Sequence, residues 1–364
     1  MTAPEAYRSG FRPGKLFGLA FFLVFALLFL SWESVSRGYM DVSAREIWEV
    51  LKAVLNGEAL TSPGSLVVWE VRLPRLAASL AVGAALGLSG AIFQGLLLNP
   101  LADPYTLGVS SGAALGAAAV ISVSIVRPIE LVTLKYFGVI YLPAPFIPAA
   151  GAFFGAGLSL VAVMALAREK NGSLPPTNLI LAGVIMSAIL SAALSFLKYL
   201  AGDQVSSIIF WLLGSFVART WADFWVVIIF FLPAFFVAMF SALDLNIMTL
   251  GLKEARTLGV STEKVRFRLL VAASLSASAA VAVSGIIGFA GLIVPHLIRS
   301  IIGPDHRTLL PFSALAGAVL LAAADWTVRV LLPGEIPVGV FTALLAGPVF
   351  LIIFRRKMRE PGRV

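Results

Sequence analysis

Residues 72–116 read RLPRLAASLAVGAALGLSGAIFQGLLLNPLADPYTLGVSSGAALG. This run holds one apolar segment of membrane length, a break from Asn99 to Pro104, and the start of a second segment. In the first segment Ser79, Gly83, Gly87, Ala91 and Gly95 recur at every fourth residue, so on a helix they form one smooth seam. Gly108, Gly112 and Gly116 repeat the spacing. Glycine at that frequency weakens a helix in water. In lipid every backbone group is bonded internally, and small residues become places where two backbones meet. The stretch therefore predicts a tightly packed transmembrane bundle, with Gly83, Gly87, Ala91 and Gly95 as helix-packing positions.

The rest of the chain is of the same kind. Of its 364 residues 59% are hydrophobic and 13% charged, and the mean hydropathy of +0.97 lies outside the range of soluble domains. The net charge of +8 could suggest nucleic acid, but the basic residues lie between apolar runs and form no basic face. Lipid headgroups and topology explain them, and nucleic acid is set aside as a partner. There is no cysteine, which excludes disulfides, iron–sulfur ligation and thiol chemistry. Residues 16–31 resemble a signal-peptide core behind Arg8, Arg12 and Lys15. However, Ser31-Trp32-Glu33 is no small-residue cleavage pattern and further spans follow, so this is read as a retained first span.

Apolar segments fall near 16–32, 76–98, 107–126, 146–167, 178–200, 223–243, 268–290, 292–302, 309–332 and 338–354. The expected fold is an all-α polytopic membrane protein of about ten transmembrane helices, with 1–364 a single membrane domain. An even number of spans puts both termini on one side. That side collects 17 of the 27 basic residues, among them Lys15, Arg168, Lys264, Arg355 and Arg363, while acidic residues offset the charge of the 33–70 loop. Both termini are therefore expected in the cytoplasm.

The chain also resembles itself at an offset of 195 residues. Leu76-Ala-Ala-Ser-Leu80 falls on Val271-Ala-Ala-Ser-Leu275, Ser89-Gly90 on Ser284-Gly285, and Pro100 on Pro295. If these are the second and seventh spans, five crossings separate the copies and they run in opposite directions. That is the inverted repeat of transporters, with a pathway between the halves.

No residue pattern looks like a reaction centre. Gly14-Lys15 lacks both the upstream glycine and the following hydroxyl of a phosphate-binding loop. The only histidines, His296 and His306, form no metal cluster with neighbouring carboxylates, so no catalytic residue, metal or cofactor is expected. The longest polar insertion on the cytoplasmic side is 244–268. Within it Leu252 to Leu258 reads as a short amphipathic helix ended by Gly259, and Ser261 to Lys264 as the cap of the next helix. The insertion is either a solvated basic connection or a compact knob for a soluble partner. Arg72 and Arg75 flank Pro74 at the outer end of the second span, either as snorkelling anchors or as a positive patch for an external partner. Asp325 and Arg329 share a helical face and are expected to pair, with Arg329 near the same patch.

Several stretches together resemble the FecCD permeases, the membrane subunits of type II ATP-binding-cassette importers for ferric siderophores, haem and cobalamin. They are Arg72-Leu-Pro-Arg75, Ser89-Gly90 with Gln94, Asn99-Pro-Leu-Ala-Asp-Pro104, and Leu107-Gly-Val-Ser-Ser-Gly112. Glu254-Ala-x-x-Leu-Gly259, Gly285-x-x-Gly-Phe-x-Gly-Leu-Ile-Val-Pro-His296, and Ala324-Asp325 with Arg329 complete the set, in order over nearly the whole chain. The resemblance implies the type II importer permease fold and a non-enzymatic subunit that works as a homodimer in the cytoplasmic membrane of a prokaryote. Two cytosolic ATPase subunits would dock on the 244–266 coupling loop, through Leu252, Glu254, Ala255, Leu258, Gly259 and Val260. An extracytoplasmic substrate-binding protein would present carboxylates to Arg72, Arg75 and Arg329. The fifth span is expected to line the pathway, with Leu181, Ser187, Ser191 and Leu194 on it, and its apolar and hydroxyl-bearing face suits bulky chelates. Ferric siderophore is the first expectation for cargo, ahead of haem and cobalamin. An ion-coupled secondary transporter is the remote alternative, and it would call for an unpaired carboxylate deep in the spans.

Overall fold

Each of the ten apolar segments becomes a helix. The computed structural model describes residues 13–359 apart from 39, 61, 127–145, 171, 333 and 335. Arg8, Arg12 and Arg363 of the charge balance lie outside the described residues. The first helix, α1 (Pro13–Ser36), is followed by an excursion with α2 (Ala44–Asn56) and α3 (Pro63–Leu66). A π-helical turn, Val67–Arg72, leads from α3 into α4 (Leu73–Leu96). Then come α5 (Val109–Val126), α6 (Phe146–Ala167), α7 (Pro176–Leu200), the short α8 (Val205–Leu212) and α9 (Trp221–Phe240). Two short helices, α10 (Ala242–Met248) and α11 (Leu252–Thr257), precede α12 (Thr262–Ser284), α13 (Ala290–Ile302), α14 (His306–Val330) and α15 (Val338–Arg359).

The packing is reciprocal between two sets of four helices. In the first set α4 packs on α14, the third helix of the second set; in the second, α12 packs on α6, the third helix of the first. Within each set the second helix packs on the third, and the third on the fourth. A twofold repeat produces this pattern, and the intervening crossings invert it. The fixed sequence offset does not persist to the helix ends. α4 continues through Gly90 to Leu96, whereas α12 stops at Ser284 because Gly285 takes φ +71° with Trp211 O where a Cβ would stand, 2.3 Å away. The chain then runs non-helically to Phe289 before α13, whose 13 residues make only about 20 Å of helix, less than a bilayer core.

The centre of the bundle is α4, α12 and α14. Gly83 and Gly87 lie on α14 so closely that added Cβ atoms would stand 2.2 Å from Gly317 O and 2.3 Å from Ser313 O. Ala91 is fully buried, and Gly95 meets the His306 imidazole. A second seam joins α5 to α6, with Gly112 against Gly155 and Gly116 against Gly151. Near-contact of backbones replaces the hydrophobic effect that lipid cannot supply.

All seven tryptophans belong to one end of this bundle. Trp32 is in the last turns of α1, Trp69 just before α4, Trp221 and Trp225 at the start of α9, and Trp326 near the end of α14. Trp48 and Trp211 sit on α2 and α8, which connect helices at that end. Trp221 Nε1 donates to Trp69 O at 3.0 Å, and the two rings lie 5.1 Å apart. The knob of α10 and α11 is at the other end. Amphipathic indoles prefer the headgroup level, so the tryptophans mark one membrane interface.

The 33–70 segment, expected as a loop, contains α2. Ser43 and Glu46 form a capping box at its start, and Gly57 closes it in the left-handed conformation at φ +71°. Ile47 and Val50 face the protein, while Trp48, Leu51 and Leu55 are exposed.

Candidate functional site

Of the three arginines expected to face an external partner, Arg72 and Arg329 meet at the C-terminal end of α1, and Arg75 binds a carboxylate on α14. Arg72 is only 5% exposed. Its Nη1 donates to Val35 O at 2.6 Å and Ser36 O at 3.0 Å, and its Nη2 donates to Met40 O. The guanidinium therefore satisfies the terminal carbonyls of α1 and offsets the negative end of the helix dipole. Arg329, half-buried, reaches the same helix end and donates from Nη2 to Ser34 O at 2.8 Å. Arg75 is buried and binds Asp325 on α14, from Nε to Oδ1 and Oδ2 at 3.1 Å each and from Nη2 to Oδ1 at 2.9 Å. Asp325 is thus held across helices by a residue 250 positions earlier. Sequence spacing offered only its neighbour Arg329.

The opposite end carries the knob. α11 stops at Thr257, Leu258 follows, and Gly259 turns at φ +87°, with its N–H on Arg256 O at 3.0 Å and the Val260 N–H on Ala255 O at 3.0 Å. This closes the last turn and reverses the chain. Ala255 and Val260 are buried, Leu252 is half-buried, Glu254 and Gly259 are exposed, and Leu258 is 62% exposed. A small buried face anchors the knob and a bare leucine tips it. Arg256 bonds Glu263 and donates from Nε to Thr262 Oγ1 at 3.2 Å, clamping α11 to α12. Thr262 Oγ1 donates to Glu263 Oε2 at 2.7 Å. The Ser261 side chain, expected as the cap of this helix, makes no capping bond.

A second clamp had no sequence signal beyond the Gly303-Pro304-Asp305 helix start. Asn246 on α10 donates from Nδ2 to Asp305 Oδ1 at 2.7 Å. Its Oδ1 accepts from the His306 N–H at 2.9 Å and from His306 Nδ1 at 2.7 Å. Arg307 grips Asp305 at 2.6 Å and is the main cause holding that carboxyl down at about 2. The knob is thereby tied to α12 on one side and to α14 on the other.

The break between α4 and α5 is built on Asp103, whose Oδ1 accepts the N–H groups of Tyr105 and Thr106 at 3.0 Å each. Burial pushes this carboxyl up to about 6 against those two bonds. Along α7, Leu181 is 59% exposed and Ser191 is exposed, while Leu194 is half-buried. Ser187 is half-buried too and turns inward, donating to Tyr105 O at 3.4 Å. Val184, Ile185 and Ile189 extend the open apolar face. Of the four pathway candidates, Leu181 and Ser191 are open, and Ser187 and Leu194 are partly covered.

A ten-helix bundle with reciprocal halves, non-helical breaks and a capped polar knob defines a multi-span membrane permease. Residues 22–356 match the FecCD transport family, and the chain belongs to that family. It is a permease of the ATP-binding-cassette importer type, a protein of the cell membrane. The hemin transport system permease protein HmuU of Yersinia pestis is 39% identical over 345 residues, 94% of this chain and 96% of that protein. The cobalamin import system permease protein BtuC of Halobacterium salinarum is 40% identical over 80% of this chain and 73% of its own. The molybdate import system permease protein MolB of Haemophilus influenzae is 33% identical over 97% and 98%. A solved inward-facing ABC transporter described as metal-chelate type aligns with a TM-score of 0.77 at 30% identity, over 95% of this chain and 100% of its own.

Proposed function

We propose that this chain is the membrane-spanning half of a homodimeric importer that carries a ferric siderophore into the cytoplasm, driven by two ATPase subunits docked on 244–266. The observation that carries the reading is the knob: a pre-folded element, anchored by Ala255 and Val260, clamped to α12 and α14, and tipped by a 62% exposed leucine. Such an element passes a push from a soluble partner into two central helices of the bundle. Both termini are then cytoplasmic, with the tryptophan-rich end outside. There the binding protein docks on the rim formed by the three arginines, with Arg329, the least buried, as the contact and Arg72 and Arg75 supporting the rim from beneath.

An iron chelate fits the uncharged face of α7, where Leu181, Val184, Ile185 and Ile189 are exposed beside Ser191. The likeness to a metal-chelate type transporter supports the same cargo class. Haem is the second reading, favoured by the 39% identity to HmuU across almost the full length of both chains. The test is uptake of labelled ferric siderophores, haem and cobalamin by cells with the full system, beside a strain lacking only this permease. Permease-dependent ferric siderophore uptake supports the assignment; uptake of haem or cobalamin alone overturns the cargo.

A further inference from the structure

The two reciprocal crossings are unequally sealed. α4 meets α14 at backbone contact through Gly83, Gly87 and Gly317, whereas α12 and α6 leave between them a groove of about 890 Å3. On α6 the groove reaches Gly157, and a Cβ there would meet nothing within 4 Å. Its walls are apolar, with Leu160, Val161 and Met164 facing Val271 and Leu275. From Gly157 to the end of α6 it runs for about 16 Å, half the thickness of a bilayer core.

Its mouth is cationic. Arg168, Lys264 and Arg268 line the end next to the α6–α7 turn, all exposed, and none forms an ion pair among the described residues. The one acid among the groove's lining residues, Glu263, is already bound by Arg256 and Thr262. Behind the mouth Arg266 is 1% exposed. Its Nη1 donates to the O of Leu174, a lining residue, at 2.6 Å, while Nε and Nη2 have no hydrogen-bond partner among the described residues.

We infer that this groove is a binding site for an anionic glycerophospholipid of the adjacent leaflet, its phosphate at Arg168, Lys264 and Arg268 and one acyl chain along α6. A soluble anion would match the mouth but leave the slot unfilled, and a zwitterionic lipid would fill the slot but carry no net charge to the mouth. The bound lipid wedges the α6–α12 crossing directly beside the Arg256–Glu263 clamp of the knob.

The test is native mass spectrometry of the purified full-length permease, stripped with detergent and then offered phosphatidylglycerol or phosphatidylcholine. The wild type retains phosphatidylglycerol preferentially. Lys264→Gln with Arg268→Gln lowers that retention roughly tenfold or more. Gly157→Trp, which fills the slot from a position with free space, abolishes the preference. Arg355→Gln, an exposed cation elsewhere at the same end, changes nothing. Soluble glycerol phosphate does not displace the lipid. Equal retention of the two lipids, retention unchanged in both groove variants, or displacement by glycerol phosphate would each overturn the site.

Discussion

Arg75 on α4 holds Asp325 on α14 through three hydrogen bonds of 2.9 to 3.1 Å, with both side chains buried. The pair ties α4 to α14 at the tryptophan-rich end of the bundle, below the rim proposed to receive the binding protein. Removing one partner strands a charge. Asp325→Ala is expected to destabilise the permease by about 3 to 5 kcal/mol, whereas Arg75→Met with Asp325→Leu recovers most of the loss. Thermal unfolding in detergent decides this, and a double variant no better than the single one would refute the pairing as the source.

The seam makes a steric prediction. Gly83→Ala places a Cβ 2.2 Å from Gly317 O, a backbone atom that cannot swing aside. The expected cost is about 1 to 3 kcal/mol. Gly18→Ala on α1, with nothing within 4 Å, is the control and should be neutral or slightly stabilising. Equal midpoints for the two variants would mean that α4 and α14 are not at backbone contact.

Leu258→Glu addresses the knob. With the side chain 62% exposed, folding stability should change by less than about 0.5 kcal/mol. ATP-driven uptake and co-purification of the ATPase should nevertheless be lost. Wild-type uptake in a well-folded Leu258→Glu permease would remove the knob from the mechanism.

Asp103 predicts a pH dependence. Its folded carboxyl titrates near 6, above its ordinary value of 3.8, chiefly through burial. A raised carboxyl leaves stability intact below about pH 4 and erodes it as pH rises through 6. Asp103→Asn keeps the two N–H bonds to Oδ1 and removes the charge. It should raise the thermal midpoint at pH 8, by up to roughly 3 kcal/mol in stability, with the gain vanishing near pH 4. A gain that is constant with pH would contradict the assignment.

What was legible in the sequence was what lipid enforces locally. Each apolar run of membrane length had to become a helix, and a glycine at every fourth residue had to mark a seam, so Gly83 and Gly87 pointed to a close neighbour before that neighbour was known to be α14. The Gly259 stop was equally visible, because only a left-handed residue ends a helix in that way. Partners across the bundle were not. Asp325 has a cation four residues away in sequence, yet Arg75 binds it from another helix, and Asn246 meets His306 only once α10 and α14 are packed. α2 is hard to see in the sequence although Ser43-x-x-Glu46 and Gly57 mark both its ends. Its apolar face is short and its polar composition made it look like a connection. Nothing in the sequence around Arg72, legible as a snorkelling anchor or a docking cation, shows that the last carbonyls of α1 find a donor there.

The most direct measurement is uptake of labelled ferric siderophore into liposomes reconstituted with this permease, its ATPase subunits and its binding protein. ATP is supplied or withheld on the ATPase side, with and without a proton ionophore. Uptake that requires ATP and is indifferent to the ionophore is the predicted result. Uptake that proceeds without ATP and collapses with the proton gradient would contradict the importer account and assign the chain to ion-coupled transport.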